Sequence, residues 1–150
     1  LDQLGIHQVL ALRGDILTDV PPTNDFRYAS DLVAFINQQA PHFAVSGAWY
    51  PEVHPESPGR VTDIKNLKFK TDQGLEHLIT QLFFDNDCFY QFQENCQLAD
   101  INVPIIAGIM PIINSKQALR LIQTSEAQLP YEMQVWPMRW IKSWTWLPKM

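Results

Sequence analysis

Four short apolar runs divide the chain, and each ends in a polar or proline-bearing motif followed by a helix-patterned segment. The runs are VLAL before Arg13-Gly14-Asp15, FAVSGA before YPEVHPE (50–56), HLITQLFF before Asp85, and PIIAGI before Met110-Pro111. Apolar runs of this length between turn signals predict buried strands, here over about 9–12, 43–48, 77–84 and 103–108. After the first, Ala29, Leu32, Val33 and Ile36 keep the i, i+3, i+4, i+7 spacing of one buried helical face, which predicts a helix from near Ser30. Asp63 is expected to start a second helix, with Gly74 as its C′ residue. Asp85-Asn86-Asp87 offers N-caps for a third, in which Phe89, Phe92 and Cys96 recur at i, i+3, i+7. Ala118, Leu121 and Ile122 are expected to face inward on a fourth. The repeat is βαβαβαβα in units of roughly 30 residues, the length of a strand plus crossover helix.

Continuous apolar strands separated by helices predict an α/β fold with a parallel sheet covered on both faces. It is either doubly wound or part of a (β/α)8 barrel. In both, the segments that follow the strands share the edge where ligands bind. The four motifs therefore mark one candidate active-site face. No G-x-G-x-x-G follows the first strand, which counts against a dinucleotide fold of the Rossmann type.

Composition narrows the function classes. With 150 residues, 46% of them hydrophobic, the chain can build one core. A formal net charge of −5 argues against general affinity for nucleic acid, which needs clustered Lys and Arg. Cys88 and Cys96 stand too far apart in one helix for a disulfide and read as reduced packing thiols. There is no secretory n-region and h-region, and no run of about 18 apolar residues, so no membrane span is expected and the cytoplasm is the default.

Read together, the motifs resemble the methylenetetrahydrofolate reductase family. The matching strings are ALRGD (11–15), YASDLV (28–33), YPEVHPE, Asp63 with Asn66-Leu67-Lys68 and Lys70, ITQLFFD (79–85), and GIMPI followed by Lys116-Gln117. They stand in the family's order over roughly residues 1–130. The resemblance implies a (β/α)8 barrel of TIM type, present here as about four βα units. It also implies FAD as cofactor and NAD(P)H as hydride donor to the flavin. The folate substrate, 5,10-methylenetetrahydrofolate, then takes the hydride to become 5-methyltetrahydrofolate. A homo-oligomer is implied for the full-length family member.

By the same resemblance Arg13, Gly14, Asp15, Tyr28, Ala29, Tyr50, His54, Asp63, Asn66 and Lys70 contact FAD, while Asp15, Gln81 and Gln117 contact the folate. Asp15 would modulate the flavin and favour a cationic folate. Alone, Arg-Gly-Asp would read as a turn with a surface ion pair. Asp63, Asn66 and Lys70 share one helical face, Lys70 being a diphosphate partner by charge. Phe69 stands where the family often has a basic residue, and Leu121 where an aromatic is found. Gln81, polar within an apolar strand, must meet either backbone or ligand. His54, Glu52 and Glu56 could be weighed as metal ligands, but a 2-His-1-carboxylate site needs a second His. His7, His42 and His77 are not expected on this edge, so no metal is expected.

Two departures qualify the resemblance. A barrel of this type needs about 250 residues and eight βα units, so the strands before Leu1, one carrying the family's proton-donating Glu, and the last strand are expected outside this chain. The isolated chain is then expected to be inactive. The second departure is a tail over 131–150 holding Trp136, Trp140, Trp144 and Trp146. A shifted reading frame in the gene is the expected explanation. The alternative function is a non-catalytic remnant or interaction module that self-associates or binds a partner through its open sheet edge and Trp-rich tail.

Overall fold

The computed structural model describes residues 1–14, 19, 25–111, 117 and 120. Strands β1 (Gln8–Ala11), β2 (Ala44–Trp49), β3 (His77–Thr80) and β4 (Ile105–Ile106) alternate with helices α1 (Ala29–Gln39), α2 (Arg60–Asp72) and α3 (Asn86–Leu98). Every pairing is parallel, and the sheet order is β1-β2-β3-β4. Asp15, Leu121 and the Trp-rich tail lie outside the described residues, as does nearly all of the fourth helical segment.

The strand order separates the two parallel architectures left open by periodicity, in favour of the barrel that the resemblance implied. A doubly wound sheet reverses its order at a switch point, whereas a barrel adds each strand on the same side of the last. Because crossovers are right-handed, steady advance puts every helix on one face. The packing agrees. Val45 and Ala11 meet Val33 of α1, while Leu78 meets Leu67 of α2 and Phe92 and Cys96 of α3. Gly47 is paired with both Ala11 and Leu78, so these residues share one side of the sheet. The described helices thus cover one face. The other face carries the rows Leu10, Ser46, His77 and Ala48, Ile79, Ile106, in register across the strands. Leu10 is 46% and Ile106 48% exposed. Those rows are the inward-facing positions of a (β/α)8 barrel, and four parallel strands are a section of its wall.

Strand and helix limits differ from the sequence expectation for identifiable reasons. β3 stops at Thr80 because its neighbour β2 ends opposite it at Trp49, and the last bond between them is Gln81 N–H to the Trp49 carbonyl. β4 keeps only two paired residues, Ile105 and Ile106. α2 begins at Arg60, three residues before Asp63, because extended Gly59 is its N-cap and its carbonyl accepts from Asp63 N–H at 2.9 Å. Gly74 lies beyond the α2 C-cap with φ 101°, a left-handed conformation that suits glycine.

At α3, Asp85 is the N-cap, its carboxylate accepting from Asp87 N–H at 2.9 Å. Asp85→Ala should lower stability by about 1 kcal/mol, seen as a lower urea midpoint with an unchanged slope. Cys96 is 1% exposed in the core beneath α3, where burial pushes its thiol pKa up to about 11. It is a packing group.

Candidate active site

The C-terminal end of β2 organises the site. Gly47 leaves room for two side chains over the strand: a Cβ there would meet Leu75 Cδ1 at 2.8 Å and Lys70 Cε at 3.0 Å. The strand closes on Trp49, whose indole N–H donates to Asp63 Oδ2 at 2.9 Å. The other oxygen, Oδ1, accepts from His54 N–H at 3.3 Å. Asp63 is 4% exposed, so these donors satisfy a buried carboxylate while tying the YPEVHPE loop to the first turn of α2. The same carboxylate that marked Asp63 as a helix start therefore points inward instead.

Lys70, two turns along the same face, is 5% exposed. Its ammonium donates to the Ala48 carbonyl at 2.9 Å and lies 5.4 Å from the centre of the Trp49 ring. Burial lowers its pKa from 10.5 to about 8, because desolvation disfavours the charged form. Asn66 lies between them in sequence but is exposed, so the three residues share a helical side without sharing an environment. Phe69 is 59% exposed.

The loop after β2 turns over this base. Half-buried Tyr50 meets the His54 ring edge-on at 4.9 Å. His54 Nδ1 accepts from Glu56 N–H at 3.2 Å, which in the neutral ring leaves the proton on Nε2. Glu56 in turn takes Arg13 from the end of β1 in a bidentate pair, with Nη1–Oε2 at 2.7 Å and Nη2–Oε1 at 2.8 Å. The Arg13 hydrogen bond holds the Glu56 carboxyl below its usual range. Gly14 follows at φ 76°, with open space where a Cβ would stand. Arg13, Gly14, Tyr50, His54, Asp63 and Lys70 are thus brought into one connected edge by Trp49 and Glu56.

Other sequence-singled residues stand apart from that connected set. Tyr28 precedes α1 and is half exposed, its backbone N–H bonded to Asp31 at 2.8 Å, and Ala29 is the first residue of α1. Gln81 is exposed and lies just past β3, rather than buried within it; its Oε1 accepts from Leu82 N–H at 3.0 Å. Gln117 Nε2 donates to the Pro111 carbonyl at 3.2 Å. His7 and His42 face Asp2, away from the strand ends that carry His54. Among the described residues no three His, Cys, Asp or Glu side chains gather as a metal site.

Between the loop after β2 and the start of α3 lies a cavity of about 640 Å³, bordered by Glu52, Pro55, Arg60, Asp85 and Cys88. The Cys88 thiol there is raised by burial first and by Glu52 and Asp85 next, with Arg60 opposing them. It is a poor nucleophile in this setting. Sequence reasoning passed over Trp49 as a site residue. Its signal was a single large aromatic ending a strand of Ala, Val, Ser and Gly.

These features define a section of a parallel βα barrel with a connected polar edge at its strand ends. The family described as methylenetetrahydrofolate reductase matches residues 1–136, and the chain belongs to that family. It is 42% identical over 128 residues to 5,10-methylenetetrahydrofolate reductase of Escherichia coli (strain K12), covering 84% of this chain and 42% of that protein. It is 40% identical over 133 residues to methylenetetrahydrofolate reductase 2 of Saccharomyces cerevisiae, covering 84% and 22%. It is 37% identical over 130 residues to a probable methylenetetrahydrofolate reductase (NADPH) of Caenorhabditis elegans, covering 85% and 20%. The chain therefore spans less than half the length of these relatives. No helix among the described residues is long and apolar enough to cross a membrane.

Proposed function

We propose that this chain carries the flavin-binding and folate-binding section of a FAD-dependent methylenetetrahydrofolate reductase. The observation that carries the reading is the single hydrogen-bonded edge joining Arg13, His54 and Asp63, with Tyr50 packed on His54. The residues fit a flavin nucleotide. Tyr50 offers a half-buried aromatic surface, Gly14 leaves open space for close approach, His54 Nε2 supplies a donor, and exposed Asn66 a polar amide. Lys70 would meet the diphosphate by leaving the Ala48 carbonyl, and Tyr28 and Ala29 at the start of α1 complete the cofactor side. When bound, FAD accepts hydride from NAD(P)H and delivers it to 5,10-methylenetetrahydrofolate.

The chain's own residues bind and orient. Asp63 fixes the YPEVHPE loop to α2; Glu56 holds Arg13 and the His54 tautomer; Gln81 and Gln117 present amides on the folate side; to Asp15 the family resemblance gives the negative charge that would act on flavin and folate. No residue of this chain is assigned as proton donor. The 150 residues alone do not turn over, because a closed barrel of this kind takes about 250 residues and eight strands.

Titrating FAD into the purified chain and following flavin fluorescence tests the reading. Saturable quenching is expected, weakened about tenfold or more by Tyr50→Ala through loss of the stacking surface. Absence of FAD binding would sink the assignment, and NAD(P)H oxidation by the chain alone would overturn its incompetence. A non-catalytic, self-associating module draws support from exposed Leu10, Ile106 and Ile109. Concentration-dependent sedimentation without FAD binding would favour that second reading.

A further inference from the structure

Glu56 touches two parts of the edge at once. Its carboxylate grips Arg13 across 43 positions of sequence, and the Arg13 Nε faces the Gly14 carbonyl at 3.4 Å. Its backbone N–H sets the His54 ring. The Glu56 side chain is 57% exposed and that of Arg13 27%, so the pair contributes little to stability by itself. Bidentate geometry nevertheless fixes the guanidinium plane, and through it the backbone at Arg13 and Gly14. The pair also cancels the Arg13 charge, so Arg13 does not act as a bare cation waiting for a phosphate.

We propose that Glu56 is a positioning residue for the ligand edge, clamping the Arg13-Gly14 segment after β1 to the YPEVHPE loop after β2 so that both meet the cofactor as one unit. This rests on the flavin reading, but its effect on backbone order does not. If Arg13 instead worked by free charge, removing the Glu56 charge would strengthen binding of an anionic cofactor. A clamp predicts the opposite sign.

The test uses the intact gene product and its Glu56→Gln, Arg13→Ala and doubly substituted variants. Expected results for Glu56→Gln are FAD affinity weaker by about tenfold from lost preorganisation, an unchanged urea midpoint, and a lower backbone order parameter at Gly14 without flavin. Adding Arg13→Ala should weaken affinity by less than the sum of the two single losses, since the two changes share one contact. Equal or tighter FAD binding by Glu56→Gln, or losses that add in the double variant, would overturn the proposal. If no variant binds FAD, the flavin reading fails by itself, and the Gly14 order parameter decides the clamp: an unchanged value overturns it, a lower value upholds it.

Discussion

Lys70→Met should make the ligand-free chain more stable at pH 7, by about 1–2 kcal/mol, while weakening FAD binding. Charging a lysine whose pKa falls from 10.5 to about 8 on folding costs roughly 3 kcal/mol, at 1.36 kcal/mol per pH unit. The lost hydrogen bond to the Ala48 carbonyl returns about 1 kcal/mol of that. The pH dependence follows from proton counts. Below about 8 both the folded and unfolded chains hold the proton, and the full penalty is present. Between about 8 and 10.5 only the unfolded chain holds it, so stability rises with pH. Above 10.5 neither does, and the penalty is gone. Wild-type chain should therefore gain stability between pH 8 and pH 10, a gain that Lys70→Met lacks. Urea midpoints at the two pH values check this. A Met variant less stable than wild type at pH 7 would show that the buried charge is not the cost. A buried lysine kept against such a penalty is a functional-site candidate, and a diphosphate beside it would offset the desolvation that the Ala48 carbonyl alone does not.

What the sequence made legible follows from how local each signal is. The 3.6-residue spacing placed α1 and α3 with their buried Val33, Phe92 and Cys96, because one helix face suffices to show that pattern. Asp85 was readable as a cap and Gly74 as a helix end for the same reason. Strand limits were not, since β3 and β4 end where a neighbouring strand stops pairing. Asp63 looked like a helix start because a carboxylate is a good N-cap, yet Trp49 and the loop claim it from inside. The hydrogen bond joining Trp49 and Asp63 spans 14 positions, and Arg13 with Glu56 spans 43. No spacing rule reports such pairs; a family motif signals the residues without telling which hold the others. The choice between doubly wound sheet and barrel rested on strand order, which periodicity does not carry.

Gly108→Ala should cost about 3 kcal/mol, the upper end of what overpacking commonly costs. A Cβ at Gly108 would fall against the Thr80 carbonyl oxygen, well inside van der Waals contact, and stand 3.2 Å from the Thr80 carbonyl carbon and 3.3 Å from that of Gln81. All three neighbours are backbone, so no side chain can swing aside. The close approach is reinforced by Gly108 N–H donating to Oγ1 of Thr80, a buried residue, at 2.8 Å. Relief requires the end of β4 to move off β3, which also displaces the backbone that carries Gln81 and the Met110-Pro111 motif. Thr80→Ser keeps the hydroxyl and should stay within about 1 kcal/mol of wild type, whereas Thr80→Val leaves the Gly108 N–H unpaired and should lose about 1–3 kcal/mol. Urea denaturation of the three variants orders them Gly108→Ala, Thr80→Val, Thr80→Ser from least to most stable. A Gly108→Ala chain with the wild-type midpoint would mean that β3 and β4 part there without cost, and that the third and fourth strand-end motifs are not held together by this contact.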